Sequence, residues 1–289
     1  MSYYSEKRIR HWFPDGEKVY IGVENEFLRN DFLHLRISEL LNGNHKPKLL
    51  WIVEQRGKIP EISEWIGKFP TIEALMISRD LIPFGNVKLD NLRTFSLASF
   101  QNEHLADNYM DYLWLENQTL PNVAYFSYLD AKLNDLGGLT PVNLPNLEWL
   151  ECRLDEKGKK IEAICKFEHL KALSISSVRN YDVFSIMGDQ LEILSLSGFS
   201  KGFPMHRVTK FANLEVLSIN GYRQDLDIEW LLDMNLKEIE LRYCLKIINT
   251  EALLKMKSLE NISIIDCKNA LSCELKSILK ERNYRIINI

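Results

Sequence analysis

The stretch HLKALSISSVRNYDVFSIMGDQLEILSLSGFSKGFPMHRVTKFANLEVLSI, residues 169–219, holds one phrase three times. The copies are HLKALSI (169–175), QLEILSL (190–196) and NLEVLSI (213–219). Each has the form L-x-x-L-x-L, with Ile, Val or Phe allowed at the apolar places. Outward from this stretch the phrase continues in both directions. Downstream lie NLKEIEL (235–241) and SLENISI (258–264); upstream lie NLEWLEC (146–152), NVAYFSY (122–128), NLRTFSL (91–97) and TIEALMI (71–77). Degenerate copies, KPKLLWI (46–52) and NYRIINI (283–289), bracket the set. A fixed period of this length marks a solenoid, in which each unit buries its apolar row only against its neighbours.

Spacing separates a true repeat from chance. First positions fall at 72, 92, 123, 147, 170, 191, 214, 236, 259 and 284, so the steps are 20, 31, 24, 23, 21, 23, 22, 23 and 25. The step of 31 holds an insertion at 103–117, which reads as a helix on the outer side. A competing frame, MDYLWL (110–115), would leave only 13 residues to the next copy, too few for a solenoid turn. Within each copy, positions four and six alternate with small or polar residues, as a half-buried strand requires. Leu194 and Leu196 point inward, while Ile193, Ser195 and Ser197 point the other way. Between copies the period changes. Ile62, Trp65, Ile66 and Phe69 fall at helical spacing behind Pro60, as do Leu253, Leu254 and Met256 behind a cap at Thr250, and Leu275, Ile278 and Leu279.

The phrase resembles the leucine-rich repeat, L-x-x-L-x-L-x-x-N/C-x-L, over residues 46–289. Cys244 and Cys267 occupy the N/C place, so the last units resemble the cysteine-containing type. The resemblance implies an α/β solenoid, a horseshoe of about eleven parallel strands on the concave face with short helices and loops on the convex face. Expected strand centres are 51, 76, 96, 127, 151, 174, 195, 218, 240, 263 and 288. Residues 1–45 do not repeat. A strand at 18–23 and a helix at 31–41 would form an N-terminal cap on one continuous array, because an exposed end unit leaves its core open.

Composition narrows the function. Net charge is −4, with 36 basic and 40 acidic residues, which argues against a broad nucleic-acid or membrane surface. The one basic cluster, Lys7, Arg8, Arg10 and His11, reads as a solvated end. There is no signal-peptide run, no stretch of spanning length and no lipidation pattern. Five cysteines without paired spacing read as free thiols suited to a reducing cytoplasm, and no zinc spacing occurs. No cofactor or metal is expected. A phosphate-cradling motif is also missing.

On the concave face, positions three, five and seven of successive strands form columns. Three clusters rise from a background of small residues. Trp51 and Met76 adjoin near the N-terminal end. Tyr125, Trp149, Glu151 and Arg153 meet in the middle. Glu238, Glu240, Arg242 and Tyr243 meet toward the C-terminus. Trp, Tyr and Arg most often anchor protein interfaces, so all ten are candidate partner-binding residues. The bland alternative is that Trp149 packs on Tyr125 as a cross-strand pair and that the charges satisfy one another. Ser174, Ser195 and Ser218 form a polar stripe that reads as a tightly curved sheet.

Catalysis fares poorly. Glu151 and Glu240 share a column but sit four strands apart, roughly 19 Å at strand spacing, whereas glycosidase pairs need about 5–9.5 Å. Glu238 and Glu240 lie about 6.7 Å apart along one strand, with nothing apolar expected to enclose them, so a hydrolase built on this pair is a distant alternative. The six histidines (11, 34, 45, 104, 169 and 206) fall outside the strand core and outside any triad context. The expectation is a non-enzymatic module, monomeric on its own, that grips a protein partner. A free-standing acidic repeat chain of this kind resembles bacterial immunity proteins that neutralise a cognate toxin. That resemblance implies a toxin domain as partner, and the chain's acidic charge points to a basic one; an intracellular scaffold or substrate adaptor is the alternative.

Overall fold

The computed structural model describes residues 13–22, 31–53, 62–78, 88–98, 119–135, 139–159, 161–178, 184, 189–267, 271–281 and 285–287. Fifteen strands run through them in chain order. These are β1 (Lys18–Ile21), β2 (Phe32–His34), β3 (Leu49–Ile52), β4 (Ala74–Ser78), β5 (Thr94–Ala98), β6 (Tyr125–Asp135), β7 (Trp149–Lys159) and β8 (Ala172–Ser176). There follow β9 (Ile193–Ser197), β10 (Val216–Asn220), β11 (Asp225–Asp227), β12 (Glu238–Arg242), β13 (Lys246–Ile248), β14 (Asn261–Ile265) and β15 (Arg285–Ile287). Thirteen of them form one sheet in the order β15-β14-β12-β10-β9-β8-β7-β6-β5-β4-β3-β1-β2, and β11 pairs with β13 apart from it. Every pairing within the large sheet is parallel. The fold is an α/β solenoid, the leucine-rich-repeat horseshoe.

The repeat frame sets the register. From Leu50 through Leu75, Phe95, Phe126, Leu150, Leu173, Leu194, Leu217 and Ile239 to Ile262, position four pairs with position four. That row is buried throughout. Each Leu, Ile or Phe lies beside its equivalents one strand spacing away, about 4.8 Å. Short elements close the other side of this core: α1 (Ile37–Asn42), α2 (Ile62–Trp65), α3 (Ala252–Lys255), α4 (Cys273–Glu281) and one or two turns of 3₁₀ helix at Ile66–Lys68, Ile161–Lys166, Met205–Lys210 and Glu229–Asp233. With about 22 residues per unit there is room for a turn or two, so 3₁₀ geometry is common here.

Two polar ladders stitch the units from outside the core. In five units the residue before the first leucine donates to a carbonyl of the preceding unit: Thr71 Oγ1 to Pro47 O (2.9 Å), Asn91 Nδ2 to Pro70 O (2.8 Å), Asn122 Nδ2 to Asp90 O (2.6 Å), Asn146 Nδ2 to Pro121 O (2.7 Å) and Asn213 Nδ2 to Asp189 O (2.9 Å). The residue after the first leucine carries charge in every unit but one, where it is Ala124. Lys48 pairs with Glu73, Lys171 with Glu192 at 3.2 Å, and Lys237 with Glu215 at 2.6 Å. These pairs are partly exposed, so each contributes little alone, about 0–1 kcal/mol.

Four expectations change. The sheet holds thirteen strands rather than about eleven, because β1 and β2 extend it past β3. Residues 31–41 do not form one helix: Phe32–His34 is strand and α1 begins only at Ile37. The chain has no Ala-like run there, and Phe32 finds an aromatic neighbour across the sheet instead. Glu251, not Thr250, precedes α3, with no side-chain cap. The last strand is offset: Ser263 pairs with Arg285, not with Asn288. The nine-residue α4 is longer than the turns of inner units and delivers the chain at a different height. β6 and β7 run on for eleven residues each, with register shifts beyond Tyr128. The outer helix expected at 103–117, Pro60, Asn288 and the basic cluster at 7–11 lie outside the described residues.

Candidate functional site

The strands bring the candidate residues onto the face opposite the helices, in the columns the repeat dictates. Tyr125 is beside Trp149, Ser127 beside Glu151, Glu238 beside Val216 and Glu240 beside Ser218. Their exposure is the correction. Tyr125 is 0% and Trp149 2% exposed, and Met76, Glu151, Glu238 and Glu240 are buried with them. The two rings sit 5.4 Å apart at 43°. They continue into Ala172, Ile193 and Val216, a second apolar row on the concave face. Part of the reason is geometric: same-column side chains one strand spacing apart cover one another, and large rings lose most surface. The row is legible in the sequence, since five successive units carry an apolar residue at position three. Parallel strands buried on both faces read this way, as near-continuous apolar runs.

Column seven remains open to solvent in part. Arg153, Ser197, Asn220, Arg242 and Ile265 are all half-buried. Two of these are arginines held from below. Arg242 Nε lies 2.8 Å from Glu240 Oε1, and its Nη2 donates to Glu240 Oε2 at 3.0 Å, a two-point fork. Ser218 Oγ donates to Glu240 Oε1 at 3.1 Å. The Glu240 side chain is 3% exposed and that of Arg242 34%. A buried carboxylate thus fixes the direction of a half-exposed guanidinium. In the middle, Arg153 Nε donates to Ser177 Oγ at 3.3 Å, and Ser127 Oγ to Glu151 Oε2 at 3.3 Å. At the N-terminal end Trp51 is half-buried and meets Tyr20 (5.4 Å) and Phe32 (6.0 Å), two rings that the repeat phrase alone does not reveal.

One step past column seven, β8, β9, β10, β12 and β14 each turn. The turn residues are Ser177, Gly198, Gly221, Tyr243 and Asp266, and all five have positive φ, between 50° and 76°. Glycine suits this left-handed conformation and Asp tolerates it; a tyrosine there is costly, roughly 1–2 kcal/mol. Tyr243 is nonetheless 57% exposed, beside the fixed Arg242 and two residues before Leu245, also exposed. Beneath the turns, Cys244 and Cys267 are buried free thiols. The Cys244 backbone N–H donates to Cys267 Sγ at 3.4 Å, and the Cys267 thiol reaches the Ile265 carbonyl at 3.4 Å. The side-chain hydrogen bond between the two thiols, with burial, pushes the Cys244 thiol well up.

Both Glu240 oxygens are engaged by Arg242 and Ser218. No group of three His, Cys, Asp or Glu placed to hold a metal occurs among the described residues. None of the helices there is long and apolar enough to cross a membrane.

No protein-family model matches the chain, and no curated protein matches it. Solved structures do. An internalin, InlF, of Listeria monocytogenes is 14% identical over 83% of this chain and 78% of its own, with a TM-score of 0.41. A leucine-rich repeat protein of Leptospira interrogans is 11% identical over 78% of this chain and 91% of its own, with a TM-score of 0.29. The fold assignment stands on the repeat and the sheet, not on these likenesses.

Proposed function

We propose that this chain is a non-enzymatic protein-binding module whose partner docks on the C-terminal third of the concave face and its rim. Tyr243 carries the reading. A large aromatic is kept in solvent, in a backbone conformation that disfavours it, where two neighbouring units use glycine. Strain of that kind, observed first and explained second, is a pointer to function. Beside it Arg242 is already oriented by Glu240, so little side-chain freedom is lost when a partner carboxylate or carbonyl meets it. Arg153, in the middle of the same face, and Trp51, at its N-terminal end, would meet only a partner that extends beyond this third. The buried candidates, Tyr125, Trp149, Glu151, Glu238 and Met76, support that surface from beneath rather than touching the partner.

The partner reading that fits an acidic chain is a basic protein. The finer proposal is an immunity protein that neutralises a basic toxin domain in the cytoplasm, acting as a monomer. Charge complementarity of that sort raises the association rate and excludes wrong partners. The test is capture from lysate of the source cell by wild type and by Tyr243→Gly and Arg242→Ala variants. The partner, once identified by mass spectrometry, is then titrated against each. A hot-spot loss of about 2 kcal/mol or more in the variants is expected. Equal affinities would remove the site from this rim, and a captured partner that is acidic and harmless to cells would remove the immunity reading.

A further inference from the structure

A cavity of about 560 Å³ opens on the helix-covered side, between the 203–206 turn, β11 and the 3₁₀ turn at Glu229–Asp233. Its volume lies within the range of pockets that hold a small molecule or a partner side chain, about 300–1,000 Å³. Phe203 and Tyr222 are lining residues, both buried, and the half-buried indole of Trp230 stands beside them. The Tyr222 hydroxyl is spent on the Phe203 carbonyl at 3.1 Å, which leaves the two rings as apolar wall.

The charge around this aromatic pocket has one sign. Asp225, Asp227, Glu229 and Asp233 all line it, with exposed His206, and no Lys or Arg does. Two of the four carboxylates have structural duties. Asp225 pairs with Lys246 at 2.7 Å; Asp227 Oδ1 accepts from Asn249 Nδ2 at 3.0 Å and from the Glu229 backbone N–H at 2.9 Å. Glu229 and Asp233 are exposed and have no cationic partner among the described residues. An indole face and free carboxylates attract the same thing, a positive charge on an apolar stem. A neutral apolar ligand would waste the carboxylates, and a bare metal ion would waste the rings.

We propose that this cavity receives a positively charged side chain, arginine or lysine, presented by a basic segment of the partner protein. The inference rests on the protein-binding reading above and gives it a second contact, on the flank rather than the concave face. The stem would lie along Phe203 and Tyr222, with the charged head over Trp230 between Glu229 and Asp233.

The test uses the full chain and a small probe, the capped tripeptide N-acetyl-Gly-Arg-Gly-amide. Binding is followed by the NMR signal of the Trp230 indole N–H, identified by its loss in Trp230→Phe. The expected result is a saturable shift with a Kd near the millimolar level, at least about tenfold weaker for the neutral citrulline peptide. The Glu229→Gln, Asp233→Asn double variant, which leaves Asp225 and Asp227 in place, should weaken the arginine peptide by roughly fivefold or more with unchanged Tm. A citrulline peptide that binds equally, a double variant that binds as wild type does, or no shift of Trp230 would each overturn the proposal. The two readings fail separately. A chain that binds the tripeptide but captures no protein refutes the binding module alone. A chain that captures its partner through Tyr243 but ignores the tripeptide refutes the pocket alone.

Discussion

Tyr243 shows how much a single backbone angle adds to a sequence reading. The residue stands out in the sequence as an aromatic near charges. Its φ of 51° is what sets it apart from the other candidates. The sequence does contain a hint, since Gly198 and Gly221 hold the equivalent place in two earlier units. Tyr243→Gly should therefore stabilise the isolated chain by about 1 kcal/mol in urea unfolding, by relief of the left-handed strain, while partner affinity falls. Loss of stability instead would mean that the ring packs more than its exposure suggests. Buried thiols give a second test at this scale. Desolvation, with the neighbouring Glu151 carboxylate, pushes Cys152 from 9.0 up to about 12. Below pH 9 folded and unfolded chains both carry the thiol, and this contribution is fully present. As pH rises from 9 toward 12 the unfolded chain ionises first, so the contribution is lost. The urea midpoint of wild type should fall more steeply across that window than the midpoint of Cys152→Ala. Parallel slopes would show that the thiol is not held neutral.

At the scale of the strand, alternation assigns side chains to the two faces, and the covering of the concave face is what the structure adds. Leu194 is 0% exposed in the predicted row, and Leu194→Ala should cost roughly 2–5 kcal/mol through a central cavity. Reading the opposite face as open treats Trp149 as a free anchor, whose removal would leave unfolding intact. With Trp149 2% exposed against Tyr125, Trp149→Ala should cost roughly 3–5 kcal/mol. The two substitutions measured together decide how the sheet is built. A loss below 1 kcal/mol for Trp149→Ala, with a large one for Leu194→Ala, would restore a single-sided core. Period-two alternation cannot report this, because it records which residues share a face and not what lies above that face. The candidate site suffered for the same reason. Its residue types and columns were legible, whereas the exposure that divides Arg242 and Tyr243 from Glu238 and Trp149 was not.

Across the whole molecule, the large sheet is one hydrogen-bonded ladder that ends, among the described residues, at β2 and β15. Among the described residues β2 pairs with β1 alone and β15 with β14 alone, whereas β9 and β10 are flanked on both sides. In a one-dimensional array, opening propagates from units that have lost a neighbour. The N-terminal segment, proposed to cap the array, continues the sheet through Tyr20 beside Trp51 and Val19 beside Leu50. A cap that works should hold its own amides almost as well as those of the unit it covers. Native-state hydrogen exchange reads this directly. The slowest amides should lie in β8–β10 and open near the global unfolding free energy. Protection should fall toward both ends, and β15, three residues long and out of the repeat frame, should exchange first. β1 and β3 should exchange together and more slowly than β15, because β2 still covers β1. If β1 instead exchanged as fast as β15 while β3 stayed protected, the N-terminal strands would be an ornament on the array and not its cap.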